Sequence, residues 1–415
     1  MIILKDEEKM LDIKYVRENL EEVKNALAKR KGEFDLGKLL ALDEERKDVL
    51  KRIETLRSEQ NKLTGKNDRA IEIKQMIKDL EPQLQEVEEN FKLEAVKLPN
   101  ISQDDVPEGK DENDNKVIKE VGEIKLKTGK DHFELGKALD IIDVERAVKV
   151  SGNRFYYLKN QAVELEFALI KYVLDVVKQE GFQPIIPPVL IREEMAWGSG
   201  HFEAINDDAY HTKDDSLVVI GTSEQSILPY FAGEVIQKLP QRFVGFSTCL
   251  RREAGSYGKD VKGILRAHQF DKLEMFSFCK KEDSKKEHEL IISLEEKIVS
   301  GLNLPYRLVE VCSGDLGLPS SKTVDVEIWM PGQECFRETH SSSNCTDFQA
   351  RRLKIKYKDG DKTEFAHTLN GTAVAIGRML IAILENNQQE DGSIKIPEAL
   401  QKYCGFDKIT NTKEV

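Results

Sequence analysis

The residues with the densest chemistry lie between Cys249 and Phe278, CLRREAGSYGKDVKGILRAHQFDKLEMFSF. The stretch reads as two antiparallel strands joined by a charged loop. Side chains alternate faces along a strand. Arg251 and Glu253 are therefore expected on one face of the first strand, and Phe270, Lys272 and Glu274 on one face of the second. Gly255, Gly258 and Gly263 supply the turns between them. A face with an arginine, two glutamates and an aromatic ring is costly to bury alone, so it predicts a ligand charged at both ends.

Three further groups set charge among apolar residues. Gly221-Thr222-Ser223-Glu224 follows the strand-like LVVI and places a carboxylate where it can accept an ammonium group. A helix N-cap is the plainer reading of the same residues. Phe336-Arg337-Glu338-Thr339-His340-Ser341-Ser342-Ser343-Asn344, after VDVEIWM and a PGQ turn, concentrates oxygen donors suited to a hard cation such as Mg²⁺, or else forms a polar turn. Thr368–Glu385 reads as an almost wholly apolar helix, preceded by Asn370-Gly371-Thr372, with Arg378 near its middle. That arginine either closes a buried ion pair or faces an anion.

Other chemistries lack support. The chain has no GxGxxG after a strand, no GxxxxGK[ST] and no GxSxG. Six cysteines include no CxxC pair, so no zinc site is expected and free thiols in a reducing compartment are. The net charge of −12 argues against bulk adhesion to nucleic acid but not against a local basic patch. No apolar run approaches the roughly 20 residues of a membrane span. The first ten residues are too short and too acidic for a targeting peptide, which predicts a cytoplasmic protein; Met10 is a possible alternative start, with 1–9 an extension.

Asp12–Arg30 reads as a helix. Leu39, Leu42, Arg46, Val49, Ile53, Leu56, Gln60 and Leu63 then recur three and four apart, and after a turn at Thr64–Asp68 so do Ile73, Ile77, Leu80, Leu84, Val87 and Phe91. This predicts an antiparallel two-helix coiled coil, of about 26 residues per helix and roughly 40 Å long, kinked at Pro82. From Arg52 to Lys78 it carries seven basic residues against four acidic ones, so its outer half is basic on an acidic protein. Either this is a solvated surface or it grips a polyanion. Pro99–Lys119 reads as a linker. Beyond it, helices are expected at Val163–Glu180 and Asp283–Gly301. Strands are expected at Leu217–Ile220, Phe243–Glu253, His268–Phe278, Tyr306–Cys312, Val324–Met330, Cys335–Ser341 and Lys354–Tyr357. So many successive strands predict an α+β fold built on a mainly antiparallel sheet.

Taken in order, the arm, HFELGKALDIIDVERAVKVSGNRFYYL (132–158), GFQPIIPP (181–188), TSE (222–224), RREAGSYGKDVKGILRAHQFDKLEMF (251–276), the block 311–352 and the block 367–400 resemble the class II aminoacyl-tRNA synthetases, and among them the seryl-tRNA synthetase family. The resemblance spans nearly the whole chain. It implies a class II mainly antiparallel sheet flanked by helices at 116–415, and a tRNA-binding domain at 1–115 whose arm covers about 38–98. It implies ATP-dependent ligation of L-serine to tRNA(Ser) through a seryl-adenylate, and a homodimer with Pro188 in the interface. Carried over, Arg251, Glu253 and Arg378 are catalytic, and Thr222, Ser223, Glu224, Glu274 and Thr372 hold serine. ATP falls to Arg251, Arg252, Glu253, Arg266, Phe270, Glu338, Thr339, His340, Ser341 and Arg378, with Mg²⁺ at Glu338 and Ser341. Arg52, Arg57, Lys62, Lys66, Arg69 and Lys74 would meet tRNA, with tRNA(Sec) open as a second partner. Tyr257, Lys259 and Lys262 would meet the acceptor end. Serine at 223 and histidine at 340 depart from the commonest family residues. Two competing readings are an aminoacyl–carrier-protein ligase, which lacks such an arm, and a non-catalytic dimeric scaffold.

Overall fold

A computed structural model describes residues 13–63, 68–201, 208–254 and 263–410. Residues 1–12, the turn with Lys66, and the loop with Gly255, Tyr257, Gly258, Lys259 and Lys262 lie outside the described residues.

The three-four spacing does form two long helices, α1 (Leu36–Lys62) and α2 (Asp68–Ala95). Asp35 starts α1, its Oδ1 accepting from the Lys38 backbone N–H at 2.9 Å. Ion pairs Lys38–Glu94, Arg57–Glu81 and Glu59–Arg69 run in opposite chain directions, so the helices are antiparallel. Val49 and Ile53 meet Ile73, Ile77 and Leu80 in the seam, each side chain contributing about 1.5–3 kcal/mol on burial. Arg46 sits in that seam because Asp43 does too. The Asp43 carboxylate, fully buried, accepts from Arg46 at 2.8 Å and pairs with Arg17 and Lys47, while the Arg46 guanidinium lies 4.7 Å from the Phe91 ring centre. α2 continues through Pro82, with Leu80 and Leu84 on either side held against α1.

The stretch read as a linker is docked instead. Arg30 donates to the carbonyls of Asn100 (3.0 Å), Ser320 (2.8 Å), Leu316 (3.1 Å) and Gly317 (2.7 Å). Burial pushes its guanidinium down to about 10. Asn100, also buried, donates to the carbonyls of Pro319 and Cys345. Composition reads this stretch as a linker because the backbone partners of Asn100 lie more than 200 residues away.

The linker's last residues begin an eight-stranded sheet. In chain order its strands are β1 (Lys116–Val121), β2 (Gln183–Ile185), β3 (Gln241–Leu250), β4 (Gln269–Cys279), β5 (Tyr306–Glu310), β6 (Lys322–Met330), β7 (Cys335–Asn344) and β8 (His367–Ala375), arranged spatially as 1-5-6-7-8-4-3-2. Every pairing is antiparallel except β2 with β3. Helices α3 (Gln161–Lys178), α4 (Ser284–Gly301) and α5 (Ile376–Asn386) cover the sheet and share one apolar core with it. Phe167 on α3 (65% exposed) and Ile186 after β2 (82% exposed) remain uncovered. No helix among the described residues is long and apolar enough to cross a membrane.

The largest misreading concerns Thr368–Glu385. Its first half is not helix but β8, a central strand between β4 and β7. A short apolar run satisfies a fully buried strand and a buried helix equally, and periodicity cannot separate them. Gly371 suits this place: a Cβ there would lie 2.3 Å from Ile291 and 2.9 Å from Glu295 on α4. Arg378 consequently stands in the first turn of α5, not at the middle of a helix.

Candidate active site

Directly opposed residues of an antiparallel pair share a face. Phe270, Lys272 and Glu274 of β4 oppose Cys249, Ser247 and Gly245 of β3, so the expected parity of β4 holds. On the other side β4 meets β8 with one extra residue in β8. Lys272 opposes Ala375 and Leu273 opposes Val374, but Glu274 opposes Thr372, leaving Ala373 as the bulge. Without it Thr372 would point to the opposite face; a bulge re-aims a side chain in this way. A second bulge, at Thr339 of β7, does the same. Glu338 opposes Glu327 and Ser341 opposes Asp325, which places Glu338 and Ser341 on one face although they are three apart.

Arg251 and Glu253 arrive differently from the expected alternation. β3 ends at Leu250. The Arg251 N–H donates to the His268 carbonyl, the Arg252 N–H to that of Asp208, and Glu253 adopts a left-handed φ of 53°. The side chains still converge. The Arg251 guanidinium lies 5.2 Å from the Phe270 ring centre and its Nε donates to the Gly221 carbonyl at 3.1 Å. Glu253 pairs with Arg266 at 3.0 Å. Across the opening Arg378 pairs with Glu338 at 3.1 Å and donates to its carbonyl at 2.8 Å. Between these groups is a cavity of about 300 Å³. Eight of the expected residues line it: Arg251, Glu253, Arg266, Phe270, Glu338, Thr339, Thr372 and Arg378.

Beside its lining residues Lys272 and Thr372, two carboxylates are sealed from solvent, Glu224 at 3% and Glu274 at 2% exposure. Burial acts first on both. It holds the Glu274 carboxyl above the usual carboxylate range, although Lys272 opposes it. At Glu224 burial is outweighed by the charge and hydrogen bond of His201, a hydrogen bond from Gln349 and the charge of Lys272, so that carboxyl lies below its usual range. Gln349 donates to Glu224 Oε1 at 2.6 Å, Asn370 donates to the same oxygen at 3.3 Å, and His201 stands 3.5 Å from it. Thr222 Oγ1 accepts from the Glu224 N–H at 3.3 Å.

Not every expected residue faces the cavity. Ser223 is buried against β3, donating to the Gly245 carbonyl at 3.1 Å. His340 is fully buried beside Thr339, 2.9 Å from its hydroxyl, and burial pushes its imidazole down to about 3. Arg252 turns toward the Asp208 and Tyr210 segment. Conversely, Lys272, Asn370, Gln349 and His201 belong to the site and were not singled out for it. Nor was His132, whose Nδ1 meets Glu385 of α5 at 2.9 Å while Nε2 accepts from the Ile264 N–H at 3.1 Å, tying the end of the hairpin loop to the helix that carries Arg378. Of these only Lys272 had a local signal, its parity with Phe270 and Glu274.

For a divalent cation, no group of three or more His, Cys, Asp or Glu side chains among the described residues could hold one unaided. Glu338, half exposed at the mouth, and Ser341 on the same face offer hard oxygen atoms. That set fits a magnesium ion carried chiefly by phosphate oxygens.

The arm's basic residues are spread out. Arg52, Lys62 and Lys74 are exposed, Arg57 pairs with Glu81, and Arg69 with Glu59 and Glu72.

Comparison with known proteins gives the same picture over the whole length. Residues 10–102 match the seryl-tRNA synthetase N-terminal domain, and residues 206–387 the tRNA synthetase class II core domain (G, H, P, S and T). A serine–tRNA ligase of Borreliella afzelii is 44% identical over 421 residues, covering 96% of this chain and 99% of that protein. The crystal structure of seryl-tRNA synthetase from Pyrococcus horikoshii complexed with ATP superposes with a TM-score of 0.89 at 41% identity, covering 97% of this chain and all of that one. The cytoplasmic serine–tRNA ligase of Naegleria fowleri in complex with AMP superposes at 0.86 with 30% identity, covering 97% and 99%.

Proposed function

Because the chain belongs to the seryl-tRNA synthetase family of class II ligases, we propose that its cavity joins L-serine to ATP and passes the seryl group to tRNA(Ser). The observation that carries this reading is one cavity with two unlike chemistries beside each other. Two buried carboxylates next to its lining residues Lys272 and Thr372 suit an amino acid's ammonium and hydroxyl groups; the three arginines and the aromatic ring of its lining suit a nucleotide triphosphate.

In the first step a serine carboxylate oxygen attacks the α-phosphorus of ATP, and the bond to the bridging oxygen breaks as pyrophosphate leaves. Two anions must meet, so fixed positive charge matters more than a base. Arg251 holds the α-phosphate and the serine carboxylate, with Phe270 stacked on the adenine and Glu253 beside it. Arg266 and Arg378 reach the outer phosphates. Each arginine now sits on a carboxylate or carbonyl that ATP would replace or share. Mg²⁺, held by Glu338, Ser341 and the phosphates, would supply further positive charge to the leaving group. Glu224, Glu274 and Thr372 hold the serine ammonium and hydroxyl. In the second step the terminal ribose hydroxyl of tRNA attacks the seryl carbonyl, AMP leaves, and an adenylate phosphate oxygen takes the hydroxyl proton.

We divide the chain into a tRNA-binding unit, 1–115, and a catalytic unit, 116–415, acting in the cytoplasm as a homodimer. Exposed Phe167, Ile186 and Leu190 support that interface. The test is serine-dependent ATP–pyrophosphate exchange followed by charging of tRNA, with the whole chain and with 38–98 removed. We expect exchange in both and charging only in the first. No exchange overturns the reading; exchange without charging by the whole chain favours a carrier-protein ligase.

A further inference from the structure

Among the described residues Lys272 is the cationic side chain of the cavity lining that the reaction above leaves unused. It is 7% exposed, lines the cavity with Arg251, Phe270 and Thr372, and its Nζ meets Glu274 Oε2 two residues along the same strand. A lysine is seldom buried this far without a task, because losing water costs its ammonium group heavily.

We propose that Lys272 is a positioning residue for the amino-acid half of the reaction: its ammonium group keeps Glu274 an ionised, oriented acceptor for the hydroxyl of the bound amino acid. The proposal rests on the serine-pocket reading above and deepens it. Three observations support it. First, the bulge at Ala373 sets Thr372 opposite Glu274, so the carboxylate lies between a hydroxyl on one strand and the ammonium on its own. The contact with the ammonium is an ion pair, and the carboxylate keeps hydrogen-bonding capacity for a ligand. Second, the other charges around Glu274 are mostly of the wrong sign. Glu224 faces it across the pocket and Glu295 of α4 from beneath the sheet; the Cys249 thiol on β3 is neutral under burial, and Arg251 is the remaining cation. His201 serves Glu224. Third, a buried carboxyl with acidic neighbours is driven toward its protonated form as cations are taken from beside it. A protonated Glu274 would present a donor where the substrate hydroxyl needs a fixed acceptor. Alanine, with no hydroxyl, would be affected far less, so the same ammonium also sustains discrimination between the two amino acids.

The sign of the pH effect follows. Glu274 is raised by burial even with Lys272 present. Without Lys272 it rises further, so a larger share of it is protonated at any given pH and its charge returns as pH rises. Pyrophosphate exchange at varied serine and ATP, from acid to alkaline pH, tests this on the full chain. For Lys272→Met we expect the serine KM to rise by about 100-fold at neutral pH and to fall again as pH rises, with the ATP KM changed less than about threefold. The preference for serine over alanine should drop by about tenfold or more. Lys272→Arg should keep the wild-type pH profile. Lys272→Met/Glu274→Gln, which buries no unpaired charge, should bind serine weakly with no pH dependence. A flat profile for Lys272→Met, or equal losses for serine and ATP, overturns the proposal while leaving the pocket assignment intact. Wild-type enzyme without serine-dependent exchange would sink the pocket assignment itself.

Discussion

The cavity and the arm hold charge in opposite ways. Beside the cavity Glu224, Glu274 and Lys272 are less than a tenth exposed and each has a partner, set by strand register for Lys272 and Glu274 and by residues distant in the chain for Glu224. Along the outer half of the arm the described basic residues stand in solvent and pair, if at all, with exposed neighbours on the same helix or its partner. Exposed pairs are worth roughly 0–1 kcal/mol and rearrange readily. Buried charges left without partners cost several times more. The first arrangement suits a small ligand that must be told from its analogues. The second suits a long polyanion followed by shape and backbone charge, where no single contact decides.

The sharpest way to break this contrast is at Glu274. Glu274→Ala should lower serine-dependent exchange by about a thousandfold or more, with an unchanged circular dichroism spectrum. A loss of less than tenfold would make a buried pocket charge as dispensable as an arm charge. Arg378 stands between the two extremes, partly exposed at the cavity mouth and paired to Glu338. Arg378→Ala should cost about a hundredfold, seen in exchange kinetics as a lower kcat and a raised ATP KM, with the serine KM little moved. Smallest are the arm substitutions. Arg52→Ala, Arg57→Ala and Lys74→Ala should each raise the tRNA KM by only about two- to fivefold and flatten the slope of log affinity against log salt by about 0.7–0.9 per contact. Exchange should not change. A single arm substitution that abolished charging would show a localised site and undo the comparison.

Legibility followed the same divide. The arm's helices, boundaries and basic excess were readable because a coiled seam repeats its information every few residues. Pro82 does not end α2, because the flanking seam residues carry the helix across it. The apolar segment 368–385 misled because such a run looks alike as strand or helix, and that error put Arg378 in the wrong place. Arg251 and Glu253 were assigned to the site by an alternation that ends one residue before them.

By itself, then, the sequence determined the order of elements, the facing set Phe270, Lys272 and Glu274, and, through seven ordered blocks, the family. Only the tertiary structure decided which polar groups complete the pocket. Gln349 and Asn370 reach Glu224 from 125 and 146 residues away, and no local pattern distinguishes them from other buried amides. Thr372 and Ser341 acquire their facing from single-residue bulges. Register is settled by packing across the whole sheet, and one extra residue reverses every alternation read from the chain.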